Sequence, residues 1–170
     1  MKTKVERHTI DLSAYPDLVV IYLGMRVRTL PGLKTLVGLG PQIEKAGAGR
    51  PEGLLHFENN IIFSLFPLHL GMRWYWRDYE SMERWTRSEP HRVWWQQYIR
   101  DSGGTGFWHE TYRLRGGMEA VYVDMPKPIG LRAVAPATAA RGAAYSARRR
   151  LGLPGEELAP PDGMAEREIY

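Results

Sequence analysis

The chain has 170 residues, of which 44 % are hydrophobic and 25 % charged, a globular composition that excludes fibrous and disordered classes. It contains no cysteine, which excludes disulfides, thiolate metal centres and a cysteine nucleophile. The net charge is +4, but the basic run Arg148, Arg149 and Arg150 lies in an Ala-, Gly- and Pro-rich region. We interpret that run as a solvated tail and expect no nucleic-acid partner.

The first predicted elements are a strand and a helix. β-Branched and apolar residues predict a strand over residues 17–28, whose second half alternates between apolar and polar positions. Thr29 is a candidate N-cap for helical spacing over residues 31–46. Two glycines and Pro41 interrupt that spacing, so the sequence predicts either one kinked helix or two short ones.

Two strands are predicted next. Residues 54–66 form an apolar strand region with a polar interruption at residues 58–60. Residues 70–77 alternate regularly, which predicts a strand with two distinct faces. One face carries Leu70, Met72, Trp74 and Trp76, and the other carries Arg73, Tyr75 and Arg77.

The second half of the domain begins with two helical runs. Asp78 is a candidate N-cap for the first run, and Ser88 is a candidate cap for the second. Strands are predicted at residues 105–114 and 118–125, joined by a tight turn. In the first of these strands Phe107, His109, Thr111 and Arg113 share one face, and Trp108, Glu110 and Tyr112 share the other.

The element order is β-α-β-β-α-β-β, which predicts an α+β fold with a ferredoxin-like antiparallel sheet and helices on one face. The other face would be apolar and uncovered, so we expect a second copy to cover it and form a homodimeric α/β barrel. We divide the chain into an N-terminal arm (1–16), the α+β domain (17–128) and a partly irregular C-terminal extension (129–170), with a short helix within residues 138–151.

Two histidines are the main candidates for chemistry. His109, if it faces a pocket, could ligate a haem iron or move a proton, or it could be a hydrogen-bonded sheet residue. His91 shares a helical stripe with aromatic residues and is either a core residue or an acid, base or ligand at a pocket mouth.

Other polar residues could bind a substrate or cofactor. Asn59 and Asn60 lie inside an apolar strand, where they could orient a substrate or mark an edge bulge. Arg26, Arg73 and Arg77 could hold a carboxylate, such as a haem propionate, or could be solvated. Four aromatic residues are expected to line the substrate pocket: Trp74, Trp76, Trp108 and Phe107.

Several functions lack sequence support. The chain has no GxGxxG, P-loop, GxSxG or HExxH motif, so it gives no indication of dinucleotide binding, NTP hydrolysis, serine hydrolysis or a zinc site. It has no secretory signal, and its apolar stretches are too short to cross a bilayer. We therefore expect a cytoplasmic protein without a membrane partner.

The segments LVVIYLGMRVR, RPEGLLHFENNIIFS, HLGMRWYWRDYESMERWTRSEPHRVWW and GTGFWHETYRLRGGMEAVYVDMP carry a family resemblance over residues 18–126. The chain resembles small monooxygenase-like proteins of the dimeric α/β-barrel superfamily, which are related to antibiotic-biosynthesis monooxygenases. This resemblance implies a two-subunit barrel.

The segments YWRDYESMERWTRSEPH and FWHE also resemble stretches of haem-containing aldoxime dehydratases. The histidine of the second stretch is a haem ligand there, which implies haem b bound through His109.

The sequence thus predicts a monooxygenase-like oxidoreductase for a small hydrophobic or aromatic substrate, with haem as a candidate cofactor. The alternatives are a cofactor-independent oxygenase of the antibiotic-biosynthesis type with His109 or His91 as base, an aldoxime-dehydratase-like haem lyase, and a non-catalytic ligand-binding dimer.

Overall fold

The fold is an antiparallel sheet with helices packed on one of its faces. The computed structural model describes residues 14–115, 118–123, 140 and 144–155. The five strands are β1 (Val19–Val27), β2 (Leu54–Leu65), β3 (Leu68–Trp76), β4 (Thr105–Arg113) and β5 (Met118–Val123). The four helices are α1 (Leu30–Ala48), α2 (Tyr79–Thr86), α3 (His91–Arg100) and α4 (Ala147–Arg150).

The strands lie in the order β2-β3-β1-β4-β5, and every neighbouring pair is antiparallel. This arrangement confirms the predicted α+β, ferredoxin-like fold. β1 lies at the centre, where Leu23 faces Met72 of β3 on one side and His109 of β4 on the other. Because side chains alternate along each strand, these three residues lie on the same face of the sheet. That face is covered by α1, α2 and α3, and we call it the covered face; the opposite face is the open face.

Two aromatic clusters join the helices to the covered face. Trp74 and Trp76 are 2 % and 1 % exposed and pack against Met82 of α2. Met25 packs against Leu36 and Tyr98 of the helices. The tryptophans dominate the first cluster because each buries a large apolar area.

Helix α1 is continuous, although its sequence also permitted two short helices. Pro41 lies inside it, and the Gln42 side chain donates a 2.8 Å hydrogen bond to the Gly38 carbonyl. Helices usually lose a backbone hydrogen bond at an internal proline. The nearby side-chain bond and the packing of Leu36 on the sheet support the helix across this point.

The helix caps differ in how well they follow the sequence. Asp78 caps α2 as predicted, since its side chain accepts a 2.7 Å hydrogen bond from the Ser81 amide. Ser88 does not cap α3, which begins at His91 after Pro90. The Ser88 hydroxyl instead donates to the Trp85 carbonyl at the end of α2, so it is unavailable to the next helix.

The C-terminal extension contributes α4, inside the range predicted for a short helix. Leu151 and Leu153 pack beside the cluster of Trp74 and Trp76, which places this segment on the covered face. Most of the proposed arm at residues 1–16 and of the extension at 129–170 lies outside the described residues. Within the described ranges, no helix is both long enough and apolar enough to cross a membrane.

Candidate functional site

The alternation of β4 decides which candidate residues can act together. Phe107 contacts Tyr98 of α3, so Phe107, His109 and Thr111 point to the covered face. Trp108 contacts Tyr22 across the sheet and points to the open face. The grouping of side chains within β4 agrees with the sequence pattern. His109 consequently lies between the sheet and the helices.

His109 belongs to a hydrogen-bonded network around the carboxylate of Glu119. Thr111 is paired with Glu119 across the β4-β5 ladder, and its hydroxyl donates to Glu119 Oε1 at 2.5 Å. His109 Nε2 lies 3.1 Å from the same oxygen. Arg150 of α4 donates from Nε and Nη2 to Glu119 Oε2, at 3.0 and 2.7 Å. Both carboxylate oxygens are thus saturated with donors.

The charges in this network keep Glu119 ionised. Its side chain is fully buried, whereas those of His109 and Arg150 are 24 % and 15 % exposed. Burial alone raises the pKa of Glu119, but the charge that His109 carries when it is protonated, the His109 hydrogen bond, the charge of Arg150 and the Thr111 hydroxyl lower it to about 2. Because Glu119 is ionised, it accepts a hydrogen bond from the N–H at His109 Nε2. The other ring nitrogen, Nδ1, then carries the lone pair that can accept a proton.

His91 lies on the helix side of the same region. Its Nδ1 is 2.8 Å from the Thr86 carbonyl, so Nδ1 carries the proton and donates it. Its ring packs on Trp85 with a centroid distance of 4.9 Å. Burial, together with the charge of His109, lowers the pKa of His91 to about 4 against the opposing effect of the Thr86 bond. His91 is therefore neutral at pH 7, and Nε2 is its acceptor nitrogen.

Two of the four aromatic residues expected to line the pocket, Trp74 and Trp76, lie in the core. Phe107 packs on the same face of the sheet but is only partly buried. All three face the helices because they share the alternation of β3 and β4 that faces α2 and α3. Trp108 is on the open face but is 2 % exposed, and its indole donates a 2.9 Å hydrogen bond to His69 Nε2.

Glycines make room for the Trp108 cluster. A Cβ on Gly24 would lie 2.6 Å from Trp108 Nε1, and one on Gly71 would lie 2.5 Å from the ring of Phe63. Phe63 and Trp108 can therefore lie close to the sheet, where their rings meet edge to face with their centroids 5.4 Å apart. Burial, with the charge of Arg26 adding, lowers the pKa of His69 to about 4, so His69 is neutral and accepts from Trp108.

The arginines predicted as a carboxylate-binding set are not brought together. Arg73 lies on the open face over the Tyr22 ring, 3.5 Å from Glu58. Arg26 is opposite His69 at the far end of the same face, about 13 Å along the strand from Arg73 by strand rise. Arg77 follows β3 and bonds to Asp78 at 2.8 Å. Arg26 and Arg73 therefore lie on the face opposite to His109, and Arg77 lies at the end of β3 beside Ser81 of α2.

The open face has its own shallow depression of about 380 Å³. It is lined by Val20, Tyr22, Arg73, Tyr75 and Tyr112. Among these, only Arg73 was a sequence candidate. The tyrosines belong to no recognisable sequence motif. The alternation along each strand does show that they lie on the face opposite to the apolar core residues.

The asparagine pair coincides with a bulge in the edge strand β2. The β2-β3 register shifts between Glu58 and Ile61, which is the interval that contains Asn59 and Asn60. Asn59 Oδ1 is buried and has no hydrogen-bond partner among the residues described. The side chain of Asn60 lies outside the described part of the structure. The backbone at this pair therefore forms the bulge that the sequence allowed. A substrate-binding role for the Asn59 side chain stays a prediction.

Glu119 and Arg150 are the network residues that the sequence reasoning missed. The sequence could have indicated Glu119, because it is an acidic residue in an apolar strand and lies opposite Thr111 in the predicted hairpin. Arg150 was interpreted as part of a solvated tail, which is wrong for Arg148 and Arg150. Their side chains are 14 % and 15 % exposed and pair with buried carboxylates.

A metal site built from protein ligands alone is not found in the described part of the chain, where no three His, Asp or Glu side chains cluster suitably. A haem could be held by a single protein histidine. Among the described residues His91 Nε2 has no hydrogen-bond partner, whereas His109 already uses Nε2 on Glu119.

Comparison with known proteins gives a family for this chain. Residues 18–131 match the family model described as monooxygenase af470-like. No curated protein matches the sequence.

Among solved structures, one aldoxime dehydratase is 22 % identical with a TM-score of 0.49, over 59 % of this chain and 29 % of that chain. Another, in complex with butyraldoxime, is 28 % identical with a TM-score of 0.48, over 72 % and 34 %. A conserved protein of unknown function from Bacteroides thetaiotaomicron is 8 % identical with a TM-score of 0.47, over 58 % and 98 %. The chain spans about a third of the length of these aldoxime dehydratases.

The buried histidines predict a specific loss of stability in acid. His69 and His91 have folded-state pKa values of about 4, below the ordinary 6.5. The unfolded chain therefore binds up to two more protons between these values, and the free energy of unfolding falls as the pH falls from 6.5 to 4. Glu119, with a pKa of about 2 against an ordinary 4.5, adds a further loss from 4.5 toward 2.

Urea unfolding at a series of pH values measures this proton uptake. The variants His69→Gln and His91→Gln should each reduce the uptake between pH 6.5 and 4 by about one proton. An unchanged slope in both variants would show that these histidines are not held neutral in the folded protein.

Proposed function

Because the chain belongs to the monooxygenase af470-like family, we propose that it is an oxidoreductase that oxygenates a small hydrophobic or aromatic molecule, with His109 as its base. The hydrogen bond between His109 and the buried, ionised Glu119 is the observation that carries this proposal. The substrate would bind beside His109, between the sheet and the helices.

The Glu119 carboxylate gives His109 a defined protonation pattern. Since Nε2 donates to Glu119, Nδ1 is free to accept a proton, and the imidazolium that results is stabilised by the adjacent negative charge. His109 is 24 % exposed, so an incoming molecule can reach it. The rings of Phe107 and Trp85 beside His109 and His91 provide apolar surface for an aromatic substrate.

A cofactor-independent oxygenation fits these residues without further groups. His109 Nδ1 removes a proton from an activated CH₂ group, and the carbanion passes its electrons to dioxygen. One oxygen atom becomes the carbonyl of the product and the other leaves as water, so CH₂ and O₂ give C=O and H₂O. The protein supplies the base, holds the carbanion against aromatic walls and limits access of water.

Oxygen uptake with anthrone as probe tests this reaction, because anthrone and O₂ give anthraquinone and water in a 1:1 ratio. We expect His109→Gln to lower the catalysed rate by about 100-fold or more, since positioned bases contribute about 10²–10⁴-fold. His56→Gln is the matched control, because His56 is an exposed histidine of the open face, against Tyr75. A His109→Gln variant as active as the native protein would remove His109 as the base.

Haem is the second candidate, and the geometry of His91 favours it. A haem bound through a neutral histidine supplies one-electron and oxygen chemistry, or Lewis-acid chemistry at iron. His91 has the pattern of such a ligand, with Nδ1–H on a carbonyl and Nε2 available. His109 would then move a proton next to the bound group, for oxygenation or for the aldoxime-dehydratase-like dehydration. Arg26 and Arg73 lie on the opposite face of the sheet and do not fit as propionate partners for this site.

Haemin titration followed by absorption tests the cofactor and its ligand together. If His91 is the axial ligand, the Soret band should shift and sharpen in the native protein and in His109→Ala, but not in His91→Ala. The reverse pattern in the two variants would restore His109 as the ligand. No change in the native protein would exclude haem and leave the cofactor-independent reaction.

The proposal includes a second copy of the chain on the open face. No described helix covers this face, Phe63 on it is 40 % exposed, and its depression is lined largely by tyrosines. Two such faces related by a two-fold axis would bury these rings against each other.

Sedimentation at micromolar concentration tests the dimer. We expect the native protein to have twice the 19.5 kDa mass of the chain. Val20→Glu, which puts a charge in the depression, should give a monomer. Val37→Glu is the matched control on the exposed side of α1, where Val37 is 69 % exposed, and it should stay dimeric. A native monomer, or equal behaviour of the two variants, would contradict this interface.

A further inference from the structure

The short helix α4 is attached to the domain by two arginines that reach different carboxylates. Arg148 donates to Glu83 of α2 at 2.9 Å, and Arg150 donates twice to Glu119 of β5. Both carboxylates are nearly or fully buried, with side-chain exposures of 8 % and 0 %. The two ion pairs are alike in type, but only that of Arg150 touches the partner of His109.

Arg150 is itself held rigidly by its own segment. Its Nη1 donates to the carbonyls of Ala144 and Tyr145, at 2.9 and 2.8 Å. Nε and one N–H of Nη2 both donate to Glu119 Oε2. A guanidinium with its fork fixed in this way can orient a carboxylate as well as neutralise it.

Arg150 matters for His109 because the two residues bind different oxygens of the same Glu119 carboxylate. Arg150 occupies Oε2, which leaves Oε1 to accept from His109 and Thr111. Without the guanidinium, the described hydrogen-bond donors of the buried Glu119 carboxylate would be His109 and Thr111. Such a group tends to take up a proton or to rotate toward another donor. Either change would release His109 from its defined orientation and tautomer.

We propose that Arg150 is a positioning residue of the His109 site, supplied by a C-terminal segment that lies beyond the residues matched by the family model. The family model ends at residue 131, whereas Arg150 lies in α4. The proposal rests on the proposed function insofar as His109 is the base. Docking of α4 then completes the site.

The experiment uses the full chain without substrate and records the imidazole ¹⁵N shifts of His109. The native protein should show a single tautomer with the proton on Nε2. Arg150→Met should give a mixture of tautomers, and Arg150→Lys, which keeps the charge but not the fork, should give an intermediate result. Arg148→Met is the matched control, because it removes the other ion pair of α4 and leaves Glu119 untouched. It should keep the native tautomer.

Oxygen uptake with anthrone then links orientation to turnover. Arg150→Met should lower kcat by about 10-fold or more with KM within about twofold, because Arg150 acts through His109 and not on the substrate. Near-ultraviolet circular dichroism checks that Trp74 and Trp76 remain packed in each variant.

The outcomes separate this proposal from the proposed function. A native tautomer and native kcat in Arg150→Met, with activity lost in His109→Gln, would overturn the role of Arg150 alone. Equal effects of Arg150→Met and Arg148→Met would reduce α4 to a structural element and also overturn it. Altered tautomers in Arg150→Met, together with native activity in His109→Gln, would support the positioning but remove His109 as the base.

Discussion

The alternation of side chains in the three central strands is the constraint on which the rest of the structure depends. Once Trp74 and Trp76 are buried under α2, the register of β1 against β3 and of β4 against β1 fixes the face on which every other side chain of these strands lies. A slip of one residue would put His109 on the open face and Trp108 under the helices. Replacing a buried tryptophan by alanine typically costs about 3–5 kcal/mol, so the tryptophans fix the register firmly.

The same alternation gives the sheet two buried carboxylates with different partners. Glu110 points to the open face and is 2 % exposed, and it accepts hydrogen bonds from the hydroxyls of Tyr112 and Tyr122. Glu119 points to the covered face and is held by Arg150, His109 and Thr111. The two tyrosine hydroxyls satisfy lone pairs of Glu110. A carboxylate held next to an imidazole can direct the movement of a proton, which is why we assign the chemistry to the covered face.

The sequence predicted much of this arrangement because its signals are local. The strand at residues 70–77, the Asp78 cap and the grouping of His109 with Phe107 and Thr111 all follow from spacing within a few residues. The sequence could not show which group faces the helices, because a strand with aromatic residues on both sides is consistent with either orientation. Trp74 and Trp76 were therefore expected in a pocket and lie instead in the core.

The features that escaped prediction depend on pairs distant in sequence. Arg150 and Glu119 are 31 positions apart, and Arg148 and Glu83 are 65 apart. A run of three arginines among Ala, Gly and Pro residues has the composition of a solvated tail, and only the buried carboxylates that meet it give it a structural role. An unpaired carboxylate inside the domain would be costly, and the arginines of α4 supply the partners of Glu83 and Glu119. The buried Glu83 and Glu119 therefore account for the position of Arg148 and Arg150 in α4. Through Arg150, a segment whose sequence looked like a solvated tail holds the carboxylate beside His109.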